Sequence, residues 1–242
     1  MNQAQAVVII AAELRLFLRP GRRSTPVAVA LDGTSSLGHV VESLGVPLTE
    51  VGRLLVHGEP AASGYRPCDG DVVTVKAVRR PQHMTSACFV LDVHLGTLAR
   101  RLRLVGVDAA YLNDADDDAL IEQANSDRRV LLTQDRGLLR RRALWLGAYV
   151  RGARPDDQFQ DVLDRFKPPL APWTRCPACN GLLSPVAKAA VAPVLPPGTR
   201  RAYQTFSGCR NCGQLYWHGA HGKRLEQIID SAVRAVSTSA SG

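Results

Sequence analysis

No stretch of this chain approaches the roughly 20 consecutive apolar residues that a membrane span requires. The apolar start from Ala4 to Ala12 has no basic leader before it, so neither a secretory signal nor an anchor is expected, and a cytoplasmic protein without membrane contact is. Internal repeats are missing, and so is low-complexity sequence apart from the Ser/Ala-rich end from Ser237 to Gly242. Disorder is excluded by composition. With 242 residues, 45% of them hydrophobic, the chain can bury cores in two or three folded units.

The net charge of +8 is unevenly spread. Residues 1–86 carry a small positive excess, residues 87–170 balance, and residues 171–242 hold most of the surplus. Acids concentrate in the middle, where a catalytic metal would need them. The basic tail can neutralise phosphates, although a basic surface kept for solubility is equally consistent with charge alone.

Six cysteines fall into two classes. Cys176-Pro177-Ala178-Cys179 and Cys209-Arg210-Asn211-Cys212 are separated by 29 residues, a spacing that lets four thiolates close a tetrahedron around structural Zn²⁺. The interval leaves room for a β-excursion through Val186 to Thr205. Cys68 and Cys88 read as ordinary small residues. His218 and His221 could ligate, but four cysteines already fill the coordination sphere.

Periodicity organises the rest. Leu14, Leu16 and Leu18 alternate with Glu13, Arg15, Phe17 and Arg19, and Val27, Val29 and Leu31 recur at every second position after Gly21-Arg22-Arg23, which predicts a hairpin. Ser36 caps a helix carrying Leu37, Val40, Val41 and Leu44, stopped by Gly45 and Pro47. Strands around Leu54-Leu55-Val56 and from Val72 to Val78 complete a ββαββ order, with Asp69-Gly70-Asp71 turning into the last. Beyond a linker at residues 82–87, strands and helices alternate. Leu95, Leu98, Leu102 and Val105 line one helical face with Arg100, Arg101 and Arg103 pointing elsewhere; Ala109–Leu112, Val130–Thr133 and Leu146–Val150 read as strands; Leu120, Ile121 and Ala124 mark a helix and Asp156–Phe166 another. Such alternation predicts a mainly parallel sheet covered on both faces.

Three acids stand near strand ends. Asp92 follows Phe89-Val90-Leu91, Asp135 follows Val130–Thr133, and Asp117 lies between them in sequence. In an open α/β sheet, ligands bind beyond the carboxyl ends of the strands, where distant acids can converge to hold Mg²⁺ or Mn²⁺. Each acid also has an ordinary use in a turn or at a helix start. Asp108 reads as a turn residue and His94 as a local hydrogen-bonding group.

The stretch from Phe89 to Arg142, with Leu-Asp-Val-His-Leu-Gly-Thr-Leu-Ala-Arg-Arg-Leu-Arg, Gly-Val-Asp and Leu-Leu-Thr-Gln-Asp-Arg-Gly-Leu-Leu, resembles the PIN-like RNase domain of the Mut-seven C-terminal type. The two CxxC knuckles, followed by Tyr216-Trp217 and His221, resemble the zinc ribbon joined to that domain, and members of the family can carry a β-grasp domain in front. The first unit itself resembles ubiquitin-like and sulfur-carrier β-grasp domains. It lacks their free diglycine end, since Val78 runs into Arg79-Arg80-Pro81, so a docking or substrate-positioning module is expected.

The resemblance implies an α/β protein with a β-grasp domain (1–80), a PIN-like nuclease domain with a mainly parallel sheet (87–168) and a basic zinc ribbon (172–235). It implies that Asp92, Asp117 and Asp135, with Asp114 as a fourth position, hold one or two divalent ions that cut RNA. Within Asp114-Ala115-Asp116-Asp117-Asp118, Asp116 and Asp118 have the alternative use of favouring a helix N-terminus. Arg136 is either a contact to the scissile phosphate or a solvated arginine. In the ribbon, Arg200, Arg201, Arg210, Lys223 and Arg224 are candidate phosphate contacts, and Trp217 either stacks on a base or packs the ribbon's core. The expected activity is metal-dependent endoribonuclease, with tRNA and ribosome-associated RNA as candidate substrates. The alternative is a non-catalytic RNA- or ribosome-binding adaptor, and DNA stays open because no residue pattern senses a 2′-hydroxyl.

Overall fold

Gln5–Ile10 alternates exposed and buried side chains without a break, which makes it the first strand, β1, of the computed structural model. Residues 3–24, 26–84, 87–217 and 222–237 are described, the side chains of Gly222 and Lys223 excepted. Two units are present: Met1–Arg80 with Thr133–Tyr149, and Pro81–Leu132 with Val150–Gly242. No helix among the described residues is long and apolar enough to cross a membrane.

In the first unit β1 pairs antiparallel with β2, Val27–Ala30. The hairpin expected from Leu14, Leu16 and Leu18 is therefore built one segment earlier. Ala12–Phe17 is a 3-10 turn, and Leu14, Phe17 and Leu18 are buried at helical spacing, so their side chains close the sheet from one side. Helix α1, Leu37–Ser43, forms as the pattern predicts, with Ser36 Oγ accepting from the His39 amide at 3.3 Å. It ends at Gly45, whose φ of +105° and position 2.6 Å from the Phe17 carbonyl oxygen, measured at an added Cβ, leave room for no side chain. Strands β3 (Val51–Val56), β4 (Glu59–Ala61) and β5 (Val72–Ala77) complete a sheet of order β2-β1-β5-β3-β4, with β1 and β5 parallel.

The second unit starts with β6, Cys88–Leu91, followed by a 3-10 turn at Val93–Leu95, α2 (Gly96–Leu104), β7 (Asp108–Tyr111), α3 (Asp117–Ser126) and β8 (Val130–Thr133). β6 is central, flanked in parallel by β7 and β8. Its run Phe89-Val90-Leu91 and the run Val130-Leu131-Leu132 are buried throughout, as strands covered on both faces are. Leu95, Leu98, Leu102 and Val105, in and around α2, are buried as expected, but Ala99 and Arg103 are buried with them.

The chain then contributes Thr133–Tyr149 to the first unit, including a 3-10 turn at Leu138–Arg140 and β9, Gly147–Tyr149. Back in the second unit, α4 (Pro155–Phe166) buries Phe159, Val162, Leu163 and Phe166, the last with its ring centroid 5.1 Å from that of Phe89. The ribbon follows: β10 (Leu183–Val186), β11 (Phe206–Cys209) and β12 (Leu215–Trp217) form an antiparallel sheet. The expected β-excursion between the knuckles is instead largely helical, with α5 at Lys188–Val191 and α6 at Pro197–Ala202. Ala-rich sequence favours helix in the first, and Pro197 sits at the first turn of the second. Helix α7, Gly222–Ser237, buries Ala232 and accepts the Lys167 ammonium at the Ala235 carbonyl.

Candidate functional site

Both CxxC segments fold by one backbone plan. In each, the amide four residues after the first cysteine donates back to that cysteine's carbonyl, Asn180 to Cys176 at 2.9 Å and Gly213 to Cys209 at 3.0 Å. The same cysteines donate forward, to the Gly181 and Gln214 carbonyls. The residue after the second cysteine is left-handed in both, Asn180 at φ +70° and Gly213 at φ +73°. These turns aim four sulfurs at one point, all within 4.8 Å of one another. Cys176 and Cys212 sulfurs are 3.8 Å apart and those of Cys179 and Cys209 3.4 Å, against about 3.8 Å along the edge of a tetrahedron with 2.3 Å zinc–sulfur bonds.

The electrostatics fit a cation. Burial opposes ionisation of Cys209, yet the Cys212 and Asn211 amides outweigh it and bring this thiol down to about 6. Burial and the neighbouring sulfurs push Cys179 up to about 12, because four thiolates cannot all ionise together unaided. Burial and the Cys176 sulfur 3.0 Å away also raise the Tyr216 phenol, keeping it a donor to that sulfur. A Cβ on Gly181 would lie 2.9 Å from the Cys209 sulfur, so the cradle is shaped to its contents. Among the described residues this is the one group of three or more potential ligands gathered so closely. His218 and His221 lie outside the described residues.

A network ties the first knuckle to the parallel sheet. Arg103, expected to point elsewhere, donates through Nε to the Ala109 carbonyl at 2.7 Å and through Nη1 to the Pro177 and Ala178 carbonyls at 3.2 and 2.8 Å. Asp108, expected as a turn residue, instead opens β7 and accepts from Arg129 at 2.6 Å, Arg175 at 3.0 Å and Asn180 at 2.8 Å. At the end of α2, Gly106 has φ +86° and lies so close to Ala171 that an added Cβ would sit 2.0 Å from its carbonyl oxygen. Sequence reasoning missed this weld. One signal was available: Asn180 stands where the second knuckle has Gly213, a position that asks for a left-handed residue.

Burial works against ionisation of Asp108, but hydrogen bonds from Arg129 and Asn180 and the charges of both arginines win, and its carboxyl is held below the usual range. A carboxylate with a depressed folded value stabilises fully above the unfolded value of about 3.9 and loses that contribution as pH falls through the folded value. Asp108→Ala is therefore expected to cost about 2 kcal/mol at neutral pH, since it strands two guanidiniums, and to flatten the loss of thermal stability below about pH 4. Thermal melts of both chains from pH 2 to pH 7 check this.

The strand-end acids are distributed differently. Asp92 is 8% exposed at the carboxyl end of β6, with its amide donating to the Leu132 carbonyl at 3.0 Å. Asp117 opens α3 and is exposed, as is Asp114 in the preceding turn, while Asp116 caps the helix by accepting from the Ala119 amide at 2.8 Å. Asp92, Asp114 and Asp117 do not form a group within 4.8 Å. Asp135 belongs to the first unit, where Oδ1 accepts from the Gly137 and Leu138 amides at 2.6 and 3.3 Å and closes the turn at Leu138–Arg140. Arg136 donates to the Leu16 and Phe17 carbonyls at 3.0 and 3.1 Å and lies over the Phe17 ring, a structural use of its guanidinium.

Basic side chains stud the ribbon. Arg200 and Arg201 on α6, Arg210 in the second knuckle and Arg224 in α7 are exposed. Trp217 packs against Phe206 at a centroid distance of 6.4 Å beside Val191 and Leu195, in the ribbon's own core.

A family model described as the Mut7-C RNAse domain matches residues 87–229, more than half of the chain. The chain belongs to the Mut7-C RNAse family. A second model, Mut7-C ubiquitin, matches residues 3–83 and covers the five-stranded sheet with α1. No curated protein and no solved structure matches the chain. In this Mut7-C chain the RNAse match runs through both the parallel sheet and the four-cysteine cluster, which Asp108 and Arg103 also join in space. Membership connects the chain to nuclease and RNA-related function.

Proposed function

We propose that this chain is a metal-dependent endoribonuclease that hydrolyses RNA phosphodiester bonds, with Zn²⁺ held by Cys176, Cys179, Cys209 and Cys212 and a catalytic Mg²⁺ or Mn²⁺ anchored by Asp92. The observation that carries it is the place of Asp92, the one buried carboxylate among the described residues of the second unit, at the carboxyl end of that unit's central strand. An open α/β sheet gathers its ligands at such strand ends.

Asp114 and Asp117 supply further negative charge in the same unit. Mg²⁺ keeps several waters and is held by one or two carboxylates together with substrate phosphates rather than by an all-protein cage, so Asp92 with one of these acids would be enough to hold it. Bound there, the ion would polarise the phosphate and lower the pKa of the attacking water. Asp92 fixes the position at which that chemistry happens. Arg200, Arg201, Arg210 and Arg224 neutralise the RNA backbone, with Lys223 proposed from the sequence alone. Asp135 is proposed as a further catalytic acid on the family pattern, and tRNA and ribosome-associated RNA in the cytoplasm are the first substrates to try.

Purified chain incubated with labelled RNA is expected to yield products with Mn²⁺ or Mg²⁺ and none when neither ion is added. RNA binding with no products under any divalent ion would overturn the nuclease and leave the adaptor.

A further inference from the structure

The first unit holds a cleft that none of the assignments above uses. Its volume is about 490 Å³, and Thr34, Ser35, Ser36, His39, Arg66 and Arg142 line it. A second depression of about 340 Å³ shares Ser36, His39 and Arg142 and continues along Arg140 and Arg141. The lining is cationic and rich in hydroxyls. Glu42 lines the second depression, and the nearby Asp32 carboxylate is engaged by the Ser35 hydroxyl at 2.6 Å and by the Thr34 and Ser35 amides. Among the described residues neither Arg66 nor Arg142 has a carboxylate partner. Two guanidiniums facing one polar cleft without a counter-ion repel each other, and an anion relieves that repulsion.

The frame around them is ordered. The Leu37 and Gly38 amides donate to the Tyr65 and Ser63 carbonyls at 2.6 and 2.7 Å, which seats the loop before Arg66 against the start of α1. The first-turn amides are thereby satisfied, so an anion here is bound by side chains. On the other wall, Arg140 donates to the Glu42 carbonyl at 3.4 Å and Leu144 is buried, which places Arg142 between two fixed points. This wall begins at Asp135, whose carboxylate closes the turn that presents Arg140 to Arg142.

We infer that this cleft is a second anchoring point for RNA, taking phosphates of the substrate backbone. The inference rests on the ribonuclease reading for its ligand. Guanidiniums suit the purpose because their planar donors engage phosphate oxygens in pairs.

The test measures binding of a fluorescent single-stranded RNA to the full chain carrying Asp92→Asn, across salt concentrations. Adding Arg66→Gln and Arg142→Gln together is expected to weaken binding about tenfold or more and to flatten the logarithmic salt slope by about 1.4, or about 0.7 for each phosphate no longer neutralised. In the active chain the pair should raise KM and leave kcat unchanged. Arg22→Gln with Arg23→Gln, two exposed arginines outside the cleft, is the charge control. Unchanged affinity and slope, an equal loss in the control, or equal competition by a phosphoserine peptide would overturn the cleft as an RNA site. A binding loss of the expected size, beside a parent chain with Asp92 intact that yields no RNA products under any divalent ion, would overturn the nuclease and leave the cleft standing.

Discussion

Cys176→Ser is expected to unfold the ribbon and to lower the melting temperature of the second unit as a whole. Three buried residues, Val191, Leu195 and Phe206, make up the ribbon's hydrophobic centre. At about 2–3 kcal/mol each they cannot offset the ordering of a segment this long, which costs about 1–2 kcal/mol for every residue fixed. A zinc ion on the four cysteines would supply the difference, about 10–16 kcal/mol in small structural sites, more than the net stability of most domains. The effect should not stop at the ribbon. Arg103 and Asp108 bond to the first knuckle, and the Ala171 and Trp173 amides donate to the Val105 and Leu104 carbonyls, so a disordered knuckle strips partners from α2 and β7. Circular dichroism melts, Trp fluorescence and a zinc-sensitive dye would follow it, with one Zn²⁺ released per chain. A strong chelator should reproduce the change in the parent protein. A melt unmoved by both treatments would mean that the cysteines hold no structural metal.

Asp92→Asn is expected to reduce RNA cleavage by about a thousandfold while the chain stays folded and still binds RNA. The substitution keeps the side chain's shape and removes its charge, and its backbone amide keeps the bond to Leu132. Losing the carboxylate that anchors the ion removes about 4 kcal/mol of transition-state stabilisation, on the scale of 1.36 kcal/mol per factor of ten. The exposed acids Asp114 and Asp117 should give smaller losses, because ligands in contact with water are replaced by water at less cost. Single-turnover cleavage with Mn²⁺, together with Mn²⁺ titration of both chains, separates chemistry from folding. A variant that cuts within twofold of the parent would remove Asp92 from the site.

What the sequence disclosed follows from how local each signal is. Ser36 and the spacing of Leu37, Val40 and Val41 lie within one turn or two, and α1 forms where they place it. The same holds for α4, whose Phe159, Val162, Leu163 and Phe166 mark one face. The CxxC knuckles carry their geometry in four residues each, and the four sulfurs meet. Failures came where long-range partners decide. Leu14 to Leu18 alternates like a strand, but Gln5–Ile10 already occupies the place beside Val27–Ala30 and the parallel place beside Val72–Ala77. That left the next segment to bury Leu14, Phe17 and Leu18 through a helical turn. Arg103 sits on the helix's buried side because carbonyls of a knuckle more than seventy residues away receive it, which periodicity cannot register. For the acids, the ordinary local uses were legible, since Asp116 caps a helix and Asp135 closes a turn, whereas the burial of Asp92 depends on the packed sheet and was not.

The first unit is finished by chain that is synthesised late. Its buried Glu50 carboxylate accepts the Tyr149 amide at 2.8 Å, and the Leu16 and Phe17 carbonyls wait for Arg136. A chain that ends at Arg80 has the sheet's strands but not these partners, so the Glu50 carboxylate and the Leu16 and Phe17 carbonyls lack these bonds until residues 136–149 are present. A cut at the 82–87 linker would therefore part the five-stranded sheet from Thr133–Tyr149 and take from it the bonds that Arg136 and Tyr149 make.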